Sequence, residues 1–182
     1  MPNNFLITGF PGSGKTTVLE RAVAMLRERG FRAGGIYCPE IREGGVRVGF
    51  KMIDIMTGEE RILAHVNQRE GPRVGKYRVN VANVDELSEA AIGRALQAAD
   101  FVAIDEIAPM ELHSDAFKRA VLSALNSPKP LLAVIHRGTT AGFIGEIKSR
   151  ADVRIFEVTP GSREKLPAVL AEAVMEKLTH RG

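Results

Sequence analysis

A glycine-rich run near the start of the chain has residue types and spacing suited to binding phosphate groups. Its residues are Gly9, Phe10, Pro11, Gly12, Ser13, Gly14, Lys15, Thr16 and Thr17. They fit the pattern G-x-x-x-x-G-K-[ST] at every fixed position. Glycines let successive backbone N–H groups turn inward around phosphates without steric clashes. We expect Lys15 to reach the β- and γ-phosphates of a nucleotide, the Thr16 hydroxyl to ligate Mg²⁺, and Thr17 to contact the α-phosphate.

A second motif, in the other half of the chain, consists of two acidic residues that follow an apolar run. Residues 101–104 predict a buried strand, and Asp105 and Glu106 come directly after it. A buried strand can deliver one carboxylate to a Mg²⁺ shell, while the next carboxylate polarises an attacking water. We therefore assign Asp105 to the metal and Glu106 to general-base work. The alternative is a strand that ends in a solvated acidic turn.

The elements around these motifs alternate between strand and helix. Strands are predicted over residues 5–7, 35–38, 77–81, 101–104, 131–135 and 153–158. Helices are predicted after the glycine-rich loop, over 86–98 with Asp85 as cap, after Ser114, over 141–149 and from Pro167. Alternation over 46–64 with a turn at 57–59 predicts an inserted β-hairpin, with a bulge near 52–53. The pattern is typical of a three-layer α/β fold whose mainly parallel sheet is covered on both faces.

Composition limits the class of protein. The chain has 182 residues and a net charge of +3, and we expect one domain over residues 1–182. The basic residues are spread along the chain, so nucleic acid is not indicated as a partner, and we expect a monomer. The single cysteine, Cys38, excludes an intramolecular disulfide and favours the cytoplasm. We expect no signal peptide and, because no apolar run approaches ~20 residues, no membrane span.

The motifs together resemble the small cancer-related nucleoside-triphosphatase family of P-loop hydrolases. The likeness covers nearly the whole chain and is most diagnostic over residues 104–112, which read IDEIAPMEL. It also rests on the glycine-rich loop and on residues 35–37, 40–42, 47–50, 75–77, 79–81, 135–137 and 156–159. One departure is Ala108, where the family usually has glycine.

This resemblance implies a RecA-like sheet and slow Mg²⁺-dependent hydrolysis of several nucleoside triphosphates, namely ATP, GTP, CTP and UTP. It implies that Lys15, Thr16, Asp105 and Glu106 have the roles argued above. The acidic pair also suggests that residues 131–135 form an extra strand between the loop strand and the Asp105 strand. No N-K-x-D motif occurs in the chain, so we expect loose base preference.

Several assignments stay open at the level of sequence. Arg137 could stabilise the transferred phosphoryl group, or it could be a solvated or ion-paired arginine. Tyr77 could stack on a base or pack on its sheet. A nucleoside or small-molecule kinase remains an alternative, with Arg137, Lys148, Arg150 and Arg154 as an arginine-rich lid. An RNA-associated, ATP-dependent module is a further alternative.

Overall fold

The structure is a computed structural model that describes residues 2–180, so Met1, Arg181 and Gly182 of the predicted domain lie outside the described residues. Its strands are β1 (Asn4–Thr8), β2 (Ala33–Tyr37), β3 (Glu40–Glu43), β4 (Val46–Asp54), β5 (Glu60–His65), β6 (Arg73–Val74), β7 (Tyr77–Val79), β8 (Phe101–Ile107), β9 (Leu131–Ile135) and β10 (Val153–Glu157). Its helices are α1 (Lys15–Glu28), α2 (Val81–Ala98), α3 (Asp115–Asn126), α4 (Gly142–Lys148) and α5 (Leu166–Thr179), with a 3₁₀ turn at Glu111–His113.

Five strands form the parallel part of the sheet, in the order β10, β1, β9, β8 and β2. Strand β9 pairs with both β1 and β8, so the predicted extra strand does separate the loop strand from the acidic strand. Because these strands run in one direction, their carboxyl ends open at the same edge of the sheet. The glycine-rich loop follows β1 and the acidic pair ends β8, which brings both motifs to that edge.

The antiparallel part of the sheet continues from β2 through β4, β5, β7 and β6, with β3 paired to β4. The predicted hairpin is confirmed as β4 and β5, but the inserted segment carries three further short strands. The predicted bulge near 52–53 is misplaced. The register shifts between Phe50 and Lys51, and the extra residue is Leu63 on β5, which explains why Leu63 and Ala64 are both buried.

Helices cover both faces of the sheet. Helices α2, α3 and α4 pack on one face through residues such as Leu87, Phe117 and Ile144, and α1 and α5 pack on the other. Successive residues of a strand point to opposite faces, so Leu6 joins the first core and Ile7 the second. The predicted three-layer α/β fold with a mainly parallel central sheet is thereby confirmed.

Helix starts were predicted with mixed success. Ser114 caps α3 as predicted, since its hydroxyl accepts from the N–H of Phe117 at 3.0 Å. The prediction that Asp85 caps a helix from residue 86 is wrong, because α2 begins at Val81 with Asn80 accepting from the N–H of Asn83. Asp85 lies inside that helix and accepts from the hydroxyl of Ser114 instead.

Among residues 2–180, no helix combines the length and the apolar character needed to cross a membrane.

Candidate active site

The glycine-rich loop over residues 9–17 joins β1 to α1 and depends on glycine at two backbone positions. Gly12 has φ of 76° and Gly14 has φ of 101°, a region that other residues enter only at a cost. The N–H of Ser13 donates to the carbonyl of Phe10 at 3.1 Å and closes the turn. Gly14 then directly precedes α1, so the chain turns abruptly from strand to helix.

The base of this loop packs closely against the chain that follows β10. A Cβ on Gly9 would lie 2.6 Å from Ser13 Oγ and 3.0 Å from the carbonyl oxygen of Val158, so only glycine fits there. Thr8 Oγ1 and Ser13 Oγ are buried and have no hydrogen-bond partner among the described residues. Buried hydroxyls normally find partners. The loop therefore offers unmatched donors beside its backbone, as expected of a site that receives a ligand with oxygen acceptors.

The first turn of α1 adds positive potential to the loop. Lys15, Thr16 and Thr17 occupy this turn, where the first backbone N–H groups of a helix have no intrahelical acceptor. Those N–H groups and the helix dipole favour an anion at this position. No acidic residue lies in the first turn to compete for them. The arrangement can therefore cradle a polyphosphate.

Asp105 connects the acidic strand to the glycine-rich loop. The Thr16 side chain and the Lys15 charge are near enough to affect this carboxylate, although β9 lies between β1 and β8. Burial raises the pKa of Asp105 to about 6, while the Thr16 hydroxyl and the charge of Lys15 act in the opposite direction. A buried carboxylate beside a hydroxyl is a hard oxygen donor pair that a divalent cation would stabilise.

The residues present fit Mg²⁺ bound together with a nucleotide. Mg²⁺ is typically held by one or two protein oxygens plus the phosphates of its substrate. Thr16 and Asp105 supply such a pair, and within residues 2–180 no cluster of three or more His, Cys, Asp or Glu residues could hold a metal alone.

Glu106 lies next to Asp105 where the pairing of β8 with β9 is irregular. The register shifts between Asp105 and Ile107, so Glu106 is skipped in the pairing of β8 with β9. Its half-buried side chain lines a cavity of about 250 Å³ together with Asp105 and His136. A carboxylate in this position can accept a proton from a nucleophile placed in the cavity.

Arg137 lies against the glycine-rich loop. Its guanidinium carbon is 3.7 Å from the centre of the Phe10 ring, and its Nε is 3.4 Å from Glu157 Oε1. The ion pair that was one of the two alternatives for Arg137 is therefore present, and its role toward a transferred phosphoryl group stays a prediction. Stacking on Phe10 places the guanidinium against the glycine-rich loop.

Lys148 was missed by sequence reasoning as a residue that orders the site. Its Nζ donates to the carbonyls of His136, Arg137 and Thr139 at 2.8, 3.0 and 2.7 Å. These three bonds fix the loop that carries Arg137. The lysine is 11 residues from Arg137 in sequence, and no local pattern signals the contact.

The basic residues of the kinase alternative do not converge into a lid. Arg150 pairs with Asp152 at 2.9 Å, and Arg154 stacks on the ring of Phe156. Lys148 is engaged with backbone carbonyls, as described above. Of the four residues proposed for a lid, only Arg137 lies against the glycine-rich loop through a contact of its own side chain.

Tyr77 packs on its sheet and is 6 % exposed, so it is not available to stack on a base. Its hydroxyl accepts from Arg47 Nε at 2.9 Å, and its ring meets Phe50 edge-on at 5.3 Å.

Cys38 is half-buried at the cavity beside Glu106, and burial raises the pKa of its thiol well above the ordinary value. A thiol with a raised pKa is a poor nucleophile.

Comparison with known proteins gives consistent matches over most of the chain. A family model described as NTPase matches residues 4–171. The nucleoside-triphosphatase THEP1 of Thermofilum pendens is 48% identical over 172 residues, which is 94% of each chain. The crystal structure of THEP1 from the hyperthermophile Aquifex aeolicus aligns with a TM-score of 0.82 at 29% identity, covering 94% of this chain and 98% of that one. The solution structure of a human cancer-related nucleoside triphosphatase aligns with a TM-score of 0.77 at 32% identity over 100% of both chains.

Proposed function

Because the chain belongs to the NTPase family and its relatives are nucleoside-triphosphatases, we propose that it hydrolyses Mg²⁺-bound ATP, GTP, CTP and UTP to the diphosphate and phosphate. The observation that carries this proposal is that the glycine-rich loop after β1 and the acidic pair at the end of β8 lie at the same edge of the sheet, with the Thr16 side chain near enough to Asp105 to lower its pKa. The phosphate-binding loop, the metal-binding carboxylate and Glu106 are therefore close together. Hydrolysis needs these three elements together.

Each residue has a defined role in the proposed reaction. The loop N–H groups and Lys15 bind the β- and γ-phosphates, and Thr16 and Asp105 hold the metal. When bound, Mg²⁺ would offset the charge of the phosphates. Glu106 orients the attacking water and accepts its proton, as the water oxygen bonds to the γ-phosphorus and the diphosphate leaves. Arg137 offsets charge on the transferred group.

Broad base specificity is supported by the surface on the other side of the loop. A cavity of about 220 Å³ there is lined by Gly14 and Thr17 of the loop and by Arg21, Arg163 and Glu164. Arg21 and Glu164 are exposed and pair at 3.5 Å. Long exposed side chains adapt to different base edges, whereas discrimination needs buried donors and acceptors that would be left unpaired by the wrong base.

The lone, half-buried Cys38 supports a reducing compartment such as the cytoplasm.

The experiment that tests this proposal is phosphate release from each of the four triphosphates, with Mg²⁺ and with excess chelator, in the presence and absence of RNA. We expect release from all four, dependent on the metal and not stimulated by RNA. Release from one base alone would overturn the broad specificity. No release until RNA is added would favour the RNA-associated module.

A further inference from the structure

The cavity beside Glu106 is larger than hydrolysis requires. It measures about 250 Å³, against ~30 Å³ for the water that hydrolysis consumes. The volume is just below the ~300–1,000 Å³ typical of small-molecule sites. Its lining comes from the ends of β2, β8 and β9 and from the antiparallel extension, which closes over it through Phe50 and Val74. The cavity is therefore a chamber of defined lining beside Glu106, the proposed general base.

One wall of this chamber is apolar and ordered. It consists of Phe50, Val74 and Met110. The Phe50 ring is held edge-to-face by Tyr77, whose hydroxyl is in turn held by Arg47. An aromatic side chain braced in this way offers a flat surface on which a ring can stack.

Another part of the lining is acidic. Asp105, Glu106 and Glu111 all contribute to the lining, and the only other ionisable groups there are Cys38 and His136. No lysine or arginine lines the chamber. With Asp105 engaged by Mg²⁺, the lining offers an anionic ligand the carboxyl groups of Glu106 and Glu111 and no lysine or arginine, so the chamber favours a ligand without negative charge.

Glu111 has a buried carboxyl that lacks a partner for one of its oxygens. The residue is 4 % exposed, and its Oε2 has no hydrogen-bond partner among residues 2–180. Burial raises the pKa of Glu111 well above its ordinary value, and the neighbouring Glu106 and Asp105 act in the same direction. The unpaired oxygen can form a hydrogen bond with a polar group of a ligand, and leaving a buried polar group unpaired is unfavourable.

We propose that this chamber binds a small ring-bearing alcohol without negative charge, and that the alcohol is a phosphoryl acceptor. The ring lies on Phe50, a polar group of the ligand pairs with Glu111, and a hydroxyl faces Glu106. The alcohol oxygen bonds to the γ-phosphorus, the bond from that phosphorus to the β–γ bridging oxygen breaks, and Glu106 accepts the hydroxyl proton. The products are a phosphate monoester and the nucleoside diphosphate. The inference rests on the proposed triphosphate site, with water as the acceptor when the chamber holds no alcohol.

The test offers the protein labelled ATP and Mg²⁺ with adenosine, uridine or pyridoxine as ring-bearing alcohols. AMP is the matched control, since it is adenosine with added negative charge. Phosphate esters and free phosphate are separated and counted. We expect at least one alcohol to yield its phosphate ester with a matching fall in free phosphate, and AMP to yield none. Ester formed from AMP as readily as from adenosine would overturn the charge argument.

Two pairs of variants test the chamber itself. Val74→Phe fills the cavity and is expected to lower ester formation at least ~10-fold, whereas Val169→Phe on the exposed face of α5 leaves it unchanged. Glu111→Gln keeps a polar group of the same size and is expected to retain transfer, while Glu111→Leu removes the polar group and is expected to lose transfer. Binding of the alcohols, followed by ligand-observed NMR, should change in parallel.

The outcomes separate the two proposals. If the protein releases no phosphate from ATP even without an alcohol, the proposed function fails. If it releases phosphate but forms no ester with any of the three alcohols, and none of them binds, the acceptor chamber alone is refuted. An alcohol that binds and blocks phosphate release without becoming phosphorylated also overturns the acceptor role.

Discussion

Replacing Asp105 with asparagine is expected to stabilise the nucleotide-free protein while it impairs binding of the metal and nucleotide. Burial raises the pKa of Asp105 from its ordinary 3.8 to about 6. At ~1.4 kcal/mol for each tenfold change in proton affinity, the ionised carboxylate costs the folded state about 3 kcal/mol. Asparagine has nearly the same shape and carries no charge. The variant should therefore gain up to about 3 kcal/mol in its free energy of unfolding near neutral pH.

The pH dependence fixes the sign of this effect. Between pH 3.8 and about 6 the folded protein holds the Asp105 proton more tightly than the unfolded chain does. The contribution of Asp105 to stability therefore falls as pH rises through this window and is at its lowest above it. Below the window both states carry a neutral carboxyl. The gain in free energy of unfolding from Asp105→Asn should reach its full size near pH ~7.5 and vanish near pH ~3.5.

Urea unfolding of the wild type and Asp105→Asn across this pH range measures the effect. Asp115→Asn is the control, because its carboxyl is 85% exposed and its removal should change stability by less than ~0.5 kcal/mol. Mg²⁺ and a non-hydrolysable triphosphate should stabilise the wild type and have much less effect on Asp105→Asn. A variant that is no more stable than the wild type near neutral pH, or equally stabilised at both ends of the range, would refute the reasoning.

Three further substitutions test the other groups of the site. Lys15→Ala removes a charge-assisted contact with phosphate and is expected to weaken triphosphate binding ~10–100-fold, which calorimetry would measure. Binding at wild-type affinity would argue against the assigned role. Arg137→Ala should lower turnover by ~10³-fold or more with little change in affinity, as steady-state kinetics would reveal, whereas equal turnover would leave Arg137 as a surface ion pair. Lys148→Met loses three hydrogen bonds to the loop that carries Arg137, so it should lower the free energy of unfolding by ~1–3 kcal/mol and reduce turnover. Unchanged turnover in Lys148→Met would show that catalysis does not depend on these hydrogen bonds to the loop that carries Arg137.

Local patterns made the parallel half of the fold predictable. The glycine-rich run, the acidic pair and the apolar strands each have a signature that short stretches of sequence carry. The position of β9 between β1 and β8 followed from the acidic pair and was also confirmed. Strands such as the two-residue β6 were missed, because they are too short for periodicity to detect. The start of α2 was misjudged because Asn80 and Asp85 are equally good caps by residue type.

The groups that complete the candidate site were not predictable in the same way. Lys148 and Glu157 act on Arg137 across the ends of different elements, and nothing in their neighbours along the chain indicates this. Glu111 stood within the diagnostic stretch, but its burial and its unpaired oxygen depend on how the loop after β8 folds back. Tertiary contacts of this kind have no sequence period. Sequence reasoning therefore predicted the glycine-rich loop and the acidic pair, and it missed the contacts of Lys148 and Glu157 with Arg137 and the burial of Glu111.

The measurement that bears most directly on the account compares the wild type with Glu106→Gln, in triphosphate binding and in turnover. Glu20→Gln is the control, since it removes another negative charge close to Asp105 from an exposed position on α1. We predict that Glu106→Gln binds each triphosphate about as well as the wild type and turns it over ~10²–10⁴-fold more slowly, while Glu20→Gln stays near the wild type. Unchanged turnover in Glu106→Gln, or loss of binding with it, would contradict the assignment of Glu106 as the general base.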